Sequence, residues 1–301
     1  MSRPLPLIRS LSALAATVLV FTTVGCKKDS EPSASNDAPA KKSSDADAKE
    51  PAKKDAAPAE KDDDAKAKGP ADAGDLKPRY GQTENHDLEE VLQGAELLEQ
   101  FCEYNNATLA FPFDVPVVLE DCGEANAFYD PEKHQISMCY ELIESFATMF
   151  DKYAESEEMA DAQIEGATMF TLYHELGHAV AHIFELPITG NEEDAVDQLA
   201  TLALLSSGED GRNMAIDGAE AFLPDEAESE LQELPFWGVH SLGEQRFYNT
   251  LCLVYGQDPD SHEHMVEDDV LPRERAEQCP EEYGRVSKAW GKLLDPHLKH
   301  G

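Results

Sequence analysis

The chain has 301 residues, and 61 acidic side chains against 24 lysines and arginines give it a formal net charge of −37 at pH 7. Nucleic-acid binding needs clustered Lys and Arg to neutralise phosphates, so this balance argues against a nucleic-acid-binding protein. It also argues against direct adsorption to anionic lipid.

The first 26 residues predict an export signal. Two arginines precede an apolar stretch from Leu11 to about Val20, which is too short to span a bilayer but suits the apolar core of a signal peptide. The segment ends in Thr-Val-Gly-Cys and resembles a bacterial lipobox, although Thr23 stands where Leu is usual. This resemblance implies that Cys26 is lipidated; ordinary signal-peptidase cleavage beside an incidental cysteine is the alternative. We therefore expect an exported protein of the bacterial cell envelope that contacts the membrane only through its lipid anchor.

Residues 27–79 predict a disordered linker. They consist mainly of Ala, Lys, Asp, Ser, Glu and Pro, and they cannot bury enough apolar surface to offset the entropy of ordering. A coil of about 50 residues would hold the folded part roughly 40 Å from its anchor on average. Residues 80–301 are long enough for one domain with a substantial core, and we expect that domain to be monomeric.

The predicted domain opens with a helix, because apolar residues recur at helical spacing from Leu88 to Phe101. Three short predicted strands and a helix follow, at residues 115–119, 125–129, 135–139 and 142–153. The segment from Asp130 to His134 supplies a hairpin-like connection between the last two strands. Strands followed by helices predict an α+β fold with a small sheet and a mainly helical C-terminal part.

The segment 161–184 predicts a long helix that carries a metal-binding motif. It contains no Pro, and its apolar residues recur every three to five positions. His174, Glu175 and His178 have the spacing H-E-x-x-H, which lets both imidazoles bind one zinc ion while Glu175 faces its open position. His182 lies about 12 Å along the axis from His174 and is too far away to bind the same ion.

A second helix with an acidic first turn is predicted to begin after Asn191. Glu193 and Asp197 stand four residues apart and share a helical face. One carboxylate can therefore complete a zinc site while the other accepts the remaining N–H of a ligand histidine. An acidic first turn more often only complements the helix dipole, but its place fifteen residues after the histidine pair favours metal binding.

These features resemble the gluzincin zinc metallopeptidases, which pair H-E-x-x-H with a downstream E-x-x-x-D. The resemblance implies a zincin-like fold in which Zn²⁺ is bound by His174, His178 and Glu193, with Asp197 orienting a ligand histidine. Over roughly residues 85–290 the chain also looks like a small bacterial family of metallopeptidases that carries this set of motifs.

A second patch, Asn126-Ala-Phe-Tyr129, is similar to the edge strand with which thermolysin-like and neprilysin-like enzymes hold an extended substrate. The resemblance implies that Asn126 and Ala127 bind substrate by adding the peptide as a further strand. The alternative is a turn residue followed by ordinary core residues.

A third patch, His240-Ser-Leu-Gly-Glu-Gln-Arg246, is similar to the neprilysin-like segment H-x-P-G-x-x-R. The resemblance implies that His240 stabilises the oxyanion and that Arg246 grips a substrate carbonyl. Leu242 replaces the Pro of that pattern, and Gly238 replaces an Asp two residues before the histidine. The missing Asp leaves open what orients His240.

Five cysteines remain besides the one in the export signal, so at most two intramolecular disulfides can form. Export permits disulfides. We predict Cys122–Cys139, which would join the substrate hairpin, and Cys252–Cys279. Cys102 would then be a buried thiol, and an exchange of partners with Cys102 is the main alternative.

The expected function is a zinc-dependent peptidase that hydrolyses peptide or protein substrates outside the cytoplasm, with Glu175 as the general base that activates zinc-bound water. The alternative is a catalytically inactive, zincin-like surface lipoprotein that binds a peptide or partner in the same cleft. Structural zinc sites usually have four protein ligands, often Cys, and no Cys lies beside the motif, which favours catalysis. A metal-free interaction module with an incidental histidine pair is a third possibility.

Overall fold

The computed structural model describes residues 72–223 and 239–299. The predicted signal peptide, the lipidation site Cys26 and most of the predicted linker lie outside the described residues. No helix in the described part is both long enough and apolar enough to cross a membrane.

A small mixed sheet has the strand order β1-β2-β4-β3. Its strands are β1 (Leu76–Tyr80), β2 (Val115–Glu120), β3 (Ala127–Asp130) and β4 (Gln135–Cys139). β1 pairs with β2, and β2 with β4, in parallel, whereas β3 pairs with β4 as an antiparallel hairpin. β3 therefore lies at an edge of the sheet.

Helices make up most of the described chain, so the predicted α+β fold with a small sheet is confirmed. They are α1 (His86–Gly94), α2 (Leu97–Thr108), α3 (Tyr140–Tyr153), α4 (Glu157–Ile183), α5 (Glu192–Leu205), α6 (Gly208–Glu220), α7 (Gly243–Gln257), α8 (Pro259–Glu267), α9 (Arg273–Ala276) and α10 (Cys279–Leu294).

The long helix α4 is the centre of the packing. Ser156 caps its first turn by accepting a hydrogen bond from the Met159 amide, and two glutamates there complement the helix dipole. Between Gly166 and Ala181 nearly every side chain is buried, because α3, α5, α6 and the β3–β4 hairpin surround this stretch. A helix buried on nearly all sides is a rigid support for the histidines that it carries.

Two local predictions differ from the structure. The single helix expected from Leu88 to Phe101 is two helices, because Glu96 adopts a left-handed conformation with φ of 53°. β1 begins at Leu76, within the stretch that composition assigned to the linker. The side chain of Asn106 accepts from the amide of Leu76 and donates to its carbonyl, which satisfies backbone groups of this edge strand.

Two disulfides are present among the described residues, Cys122–Cys139 and Cys252–Cys279, and these are the two pairs expected from the sequence. Cys139 ends β4, so the first bridge joins the β3–β4 hairpin to the segment that follows β2. Cys102 is a buried free thiol whose pKa is raised to about 12 by burial.

Three carboxyl groups are partly buried where α4 packs against α6. Glu165 belongs to α4, and Asp217 and Glu220 belong to α6. The helices approach so closely that a Cβ on Gly166 would lie 2.3 Å from a carboxylate oxygen of Asp217. Burial, followed by the charges of Glu220 and Glu165, raises the pKa of Asp217 to about 8, and burial with Asp210 raises the pKa of Glu165 to about 7.

We predict that this contact weakens the fold in alkaline solution. Carboxyl groups whose pKa values are raised in the folded state contribute stability that is fully present below their ordinary values of 3.8 and 4.5, and that stability is lost as the pH rises from there through about 7 to 8. Asp217→Asn, which stays uncharged, should therefore raise the melting temperature at pH 8.5 by at least about 2–4 °C, as expected for ~1 kcal/mol in a domain of this size. At pH 5 the rise should be smaller, because most of the loss in the wild type comes between that pH and pH 8.

The measurement is thermal unfolding followed by circular dichroism at both pH values. Glu90→Gln on α1 is the control, because it removes one exposed carboxyl group. An equal loss of stability at both pH values in Asp217→Asn would contradict the prediction.

Candidate metal centre

The histidine motif lies where α4 and α5 come unusually close. A Cβ on Gly177, in the middle of the motif, would lie 2.6 Å from the Cβ of Val196 on α5. Any larger residue at this position would push α5 away, because packed interiors have no spare volume. The glycine thus allows the first turns of α5 to reach the histidines of α4.

Side chains from both helices converge on one point. The Oε2 atom of Glu193 lies 3.3 Å from Nε2 of His174 and 3.4 Å from Nε2 of His178. Potential ligand atoms of these three residues lie within 4.8 Å of one another. The other such group in the described part of the chain contains Cys122, Cys139 and Glu141, but both of its sulfurs are joined in a disulfide.

The outer nitrogens of the two rings are held by carboxylates. Nδ1 of His174 lies 2.7 Å from Oδ1 of Asp197, and Nδ1 of His178 lies 2.7 Å from Oε1 of Glu192. An ionised carboxylate can only accept, so each Nδ1 carries a proton and donates it. In a neutral ring, Nε2 then presents its lone pair toward Glu193.

This arrangement fits a divalent metal ion. Oε2 of Glu193 is buried and faces the ring nitrogens of His174 and His178 at 3.3 and 3.4 Å. In the absence of a metal ion, protons on the rings must lie between these atoms, and a divalent cation could take their place. Two imidazoles and one carboxylate are also a ligand set of catalytic zinc sites.

The surrounding charges also favour a cation here. Burial acts to lower the pKa of His174, but hydrogen bonds to Asp197 and Glu193 outweigh burial and raise that pKa to about 9. Burial would raise the pKa of Asp197, but Arg246 and His174 keep it below its usual value, so this carboxylate is ionised.

Glu175 is buried beside the two histidines of the motif. Burial raises the pKa of its carboxyl group, and the neighbouring imidazoles oppose this rise. The backbone of Tyr129 on β3 acts in the same direction as the imidazoles and also opposes the rise of this pKa. A carboxylate with a raised pKa is suited to accept a proton and to give it back.

Arg246 is engaged with Asp197. Its Nε donates to Oδ2 at 2.7 Å and its Nη2 to Oδ1 at 2.8 Å, and the guanidinium group lies 3.5 Å from the centre of the Phe222 ring. Arg246 thus fixes Asp197, which in turn fixes His174. Its expected contact with a substrate carbonyl stays a prediction.

His240 reaches the same point from outside α4 and α5. Its Nε2 lies 3.0 Å from Oε2 of Glu193. The residues on either side of it are bound to the start of α5: Asn191 Nδ2 donates to the carbonyl of Val239 at 3.0 Å, and Ser241 Oγ donates to Asp194 Oδ1 at 2.6 Å. These two hydrogen bonds hold His240 although the Asp two residues before it is absent.

The site opens into a cleft of about 530 Å³. One wall is the edge strand β3 together with Asn126, the residue before it. The carbonyl of Asn126 accepts a hydrogen bond from the amide of Cys139 on β4. In an antiparallel strand the N–H and C=O groups of successive residues point to alternate sides, so those of Ala127 and Tyr129 point away from β4. The residues predicted to bind substrate therefore lie in the same cleft as the histidines.

Glu192 is the site residue that sequence reasoning did not single out. The spacing of four residues from Asp197 points to its neighbour Glu193, whereas Glu192 fits the pattern of an ordinary acidic helix start. Only the rotation of α5 against α4 shows that Glu192 reaches Nδ1 of His178.

Comparison with protein families gives one match. The model of the family DUF4344, described as "Putative metallopeptidase", matches residues 79–294, which is more than two thirds of the chain and includes every residue of the centre. Searches of curated proteins and of solved structures found no match.

We predict that Glu192→Ala weakens metal binding by about 10- to 100-fold, because the ring of His178 then loses the acceptor that orients it. Glu192→Gln should lose less, since its amide oxygen can still accept from Nδ1. Titration of the metal-free protein with Zn²⁺ against a competing chromogenic chelator measures both affinities. Glu281→Ala, an exposed glutamate of α10, is the control, and equal affinities for Glu192→Ala and Glu281→Ala would refute the role of Glu192.

Proposed function

The chain belongs to the family described as "Putative metallopeptidase", and we propose that it is a zinc-dependent peptidase with a gluzincin-type centre on a zincin-like domain. The observation that carries this proposal is the convergence of the buried Oε2 atom of Glu193 with the Nε2 atoms of His174 and His178, whose outer nitrogens are held by two further carboxylates. Because Glu175 lies beside these three potential ligands, the site is suited to hydrolysis and not only to holding a metal ion.

His174, His178 and Glu193 would be the protein ligands of the zinc ion. When bound, zinc supplies a Lewis acid that polarises a carbonyl and lowers the pKa of water from 15.7 to about 7. Three protein ligands leave a position for solvent or substrate, as in other catalytic zinc sites.

Glu175 is the proposed general base. It would take a proton from the attacking water as the water oxygen bonds to the peptide carbonyl carbon. It would then give that proton to the nitrogen as the C–N bond breaks, which releases an amine and a carboxylic acid. Burial of Glu175 supports this role, because burial raises its pKa toward the range in which a carboxyl group can both accept and donate.

His240 is the proposed donor to the developing oxyanion. Its position across Glu193 from the two ligand histidines supports this role, as does the anchoring of its loop through Asn191 and Asp194. Arg246 would hold Asp197 in place and contact a substrate carbonyl, and Asn126 and Ala127 would pair with the substrate backbone along β3.

The site of action would be outside the cytoplasm. Two disulfides in the described part of the chain are compatible with export, because cytosolic thiols are kept reduced. We propose that residues 1–26 are an export signal ending in a lipidated Cys26, that residues 27–79 are a tether, and that the monomeric peptidase domain acts on peptide or protein substrates.

We predict chelator-sensitive hydrolysis of a fluorogenic peptide library by the folded domain. Glu175→Gln should lower kcat by about 10²- to 10⁴-fold, the usual contribution of a general base, and should still bind one zinc ion. Metal analysis of the same samples is the control. Full activity in Glu175→Gln with zinc bound would contradict the mechanism, and zinc binding without hydrolysis by the wild type would favour an inactive lipoprotein that binds a partner.

We predict that His240→Ala lowers kcat by about 100-fold, because one donor to the oxyanion is lost. KM and zinc affinity should change little, since His240 is not a proposed ligand. Steady-state kinetics together with the chelator titration separate the two effects. A loss of zinc affinity equal to that of His174→Ala would show that His240 is a ligand instead.

A further inference from the structure

A second cluster of rings forms where the β3–β4 hairpin meets α4, at a histidine two turns beyond the first histidine of the motif. The hydroxyl group of Tyr129 on β3 lies 2.9 Å from Nδ1 of His182 on α4 and 3.2 Å from Nδ1 of His134 in the β3–β4 turn. The two imidazole rings are stacked, with their centres 5.6 Å apart and an angle of 25° between their planes. Tyr129 and His182 line the cleft, and the metal centre uses neither ring.

The Tyr129 hydroxyl group and the two Nδ1 atoms can form both hydrogen bonds among themselves, without a bound ligand. A phenol has one proton, so Tyr129 donates to one ring and accepts from the protonated Nδ1 of the other. The network therefore ties three elements together: the edge strand, its turn and the catalytic helix.

His134 adopts a costly conformation. Its φ is 51°, in the left-handed region, which costs a residue with a Cβ roughly 1–2 kcal/mol. Glycine would occupy this turn position without that cost. Its ring is also held against Phe113, with the ring centres 4.6 Å apart. Strain of this kind persists where the surroundings fix the residue, and it is frequent at functional sites.

Tyr129 connects this network to the proposed base. Glu175 belongs to α4, which packs against β3, and both Tyr129 and Glu175 line the cleft. β3 has only four residues and pairs with a single strand, so it needs further support. The disulfide at Cys139 and the hydrogen bond between Asn126 and Cys139 support one end, and the ring cluster supports the other.

We propose that His134 and His182 are positioning residues for catalysis. Through the Tyr129 hydroxyl group they hold β3 against α4, so that the strand keeps its place along the cleft beside Glu175. This inference rests on the proposed peptidase function, because it assigns the cluster a role in placing the edge strand, and a substrate paired with it, relative to the general base.

The decisive variant is His134→Gly, which removes the imidazole and relieves the left-handed strain. It should leave the melting temperature unchanged or raised, leave zinc affinity unchanged, and lower kcat by about tenfold. Tyr129→Phe should show the same fall, and the double variant should fall no further, because both changes break one network. His134→Asn should recover part of the activity, since Asn tolerates the left-handed region and has an amide that can bond to Tyr129.

Glu96→Gly is the matched control. Glu96 also has a left-handed conformation, with φ of 53°, but it precedes α2 and does not line the cleft. This substitution should relieve the same kind of strain without changing kcat. A fall in kcat in Glu96→Gly as large as that in His134→Gly would overturn the proposal.

Hydrogen exchange of the Phe128 amide, which points toward β4 opposite Ser137, tests the inference independently of catalysis. His134→Gly should speed this exchange by about tenfold relative to the wild type, whether or not a peptide is hydrolysed. A chain that lacked peptidase activity but showed this acceleration would refute the proposed function and keep the anchoring of β3. Wild-type kcat together with wild-type exchange in His134→Gly would overturn the inference itself.

Discussion

The convergence of two imidazole nitrogens and one carboxylate oxygen is the constraint on which the rest of the structure depends. Asp197 and Glu192 accept from the outer N–H groups of the rings, so the inner nitrogens of His174 and His178 face Glu193. A positive charge is needed between these buried atoms, and in the absence of a metal ion a proton supplies it, since the pKa of His174 is raised to about 9. The fold holds this arrangement from outside, and under the proposed function a metal ion would replace the proton and stabilise it from within.

The supporting structure is arranged in layers around that point. Gly177 allows α5 to approach α4, and Arg246 fixes the carboxylate that fixes His174. On the opposite wall, a disulfide and a ring cluster hold the short edge strand β3 at its two ends. Each support acts on backbone or side-chain position, which is what catalysis by preorganised groups requires.

Local patterns in the sequence predicted the α+β class, the long motif helix and the β3–β4 hairpin, because periodicity and spacing are properties of short segments. The break at Glu96 and the strand at Leu76 were missed, since both are set by contacts with residues distant in sequence. The role of Glu192 depends on the rotation of one helix against another, which composition cannot reveal. The sequence places His182 two turns from His174 along the helix, but its contact with Tyr129 depends on the folded hairpin.

A crystal structure of the zinc-loaded domain with anomalous scattering at the zinc edge tests the central claim most directly. The expected result is one anomalous peak within about 2.0–2.2 Å of His174 Nε2, His178 Nε2 and a carboxylate oxygen of Glu193, with a further position open to the cleft. A peak elsewhere, or a Glu193 side chain turned away from both imidazoles, would contradict it.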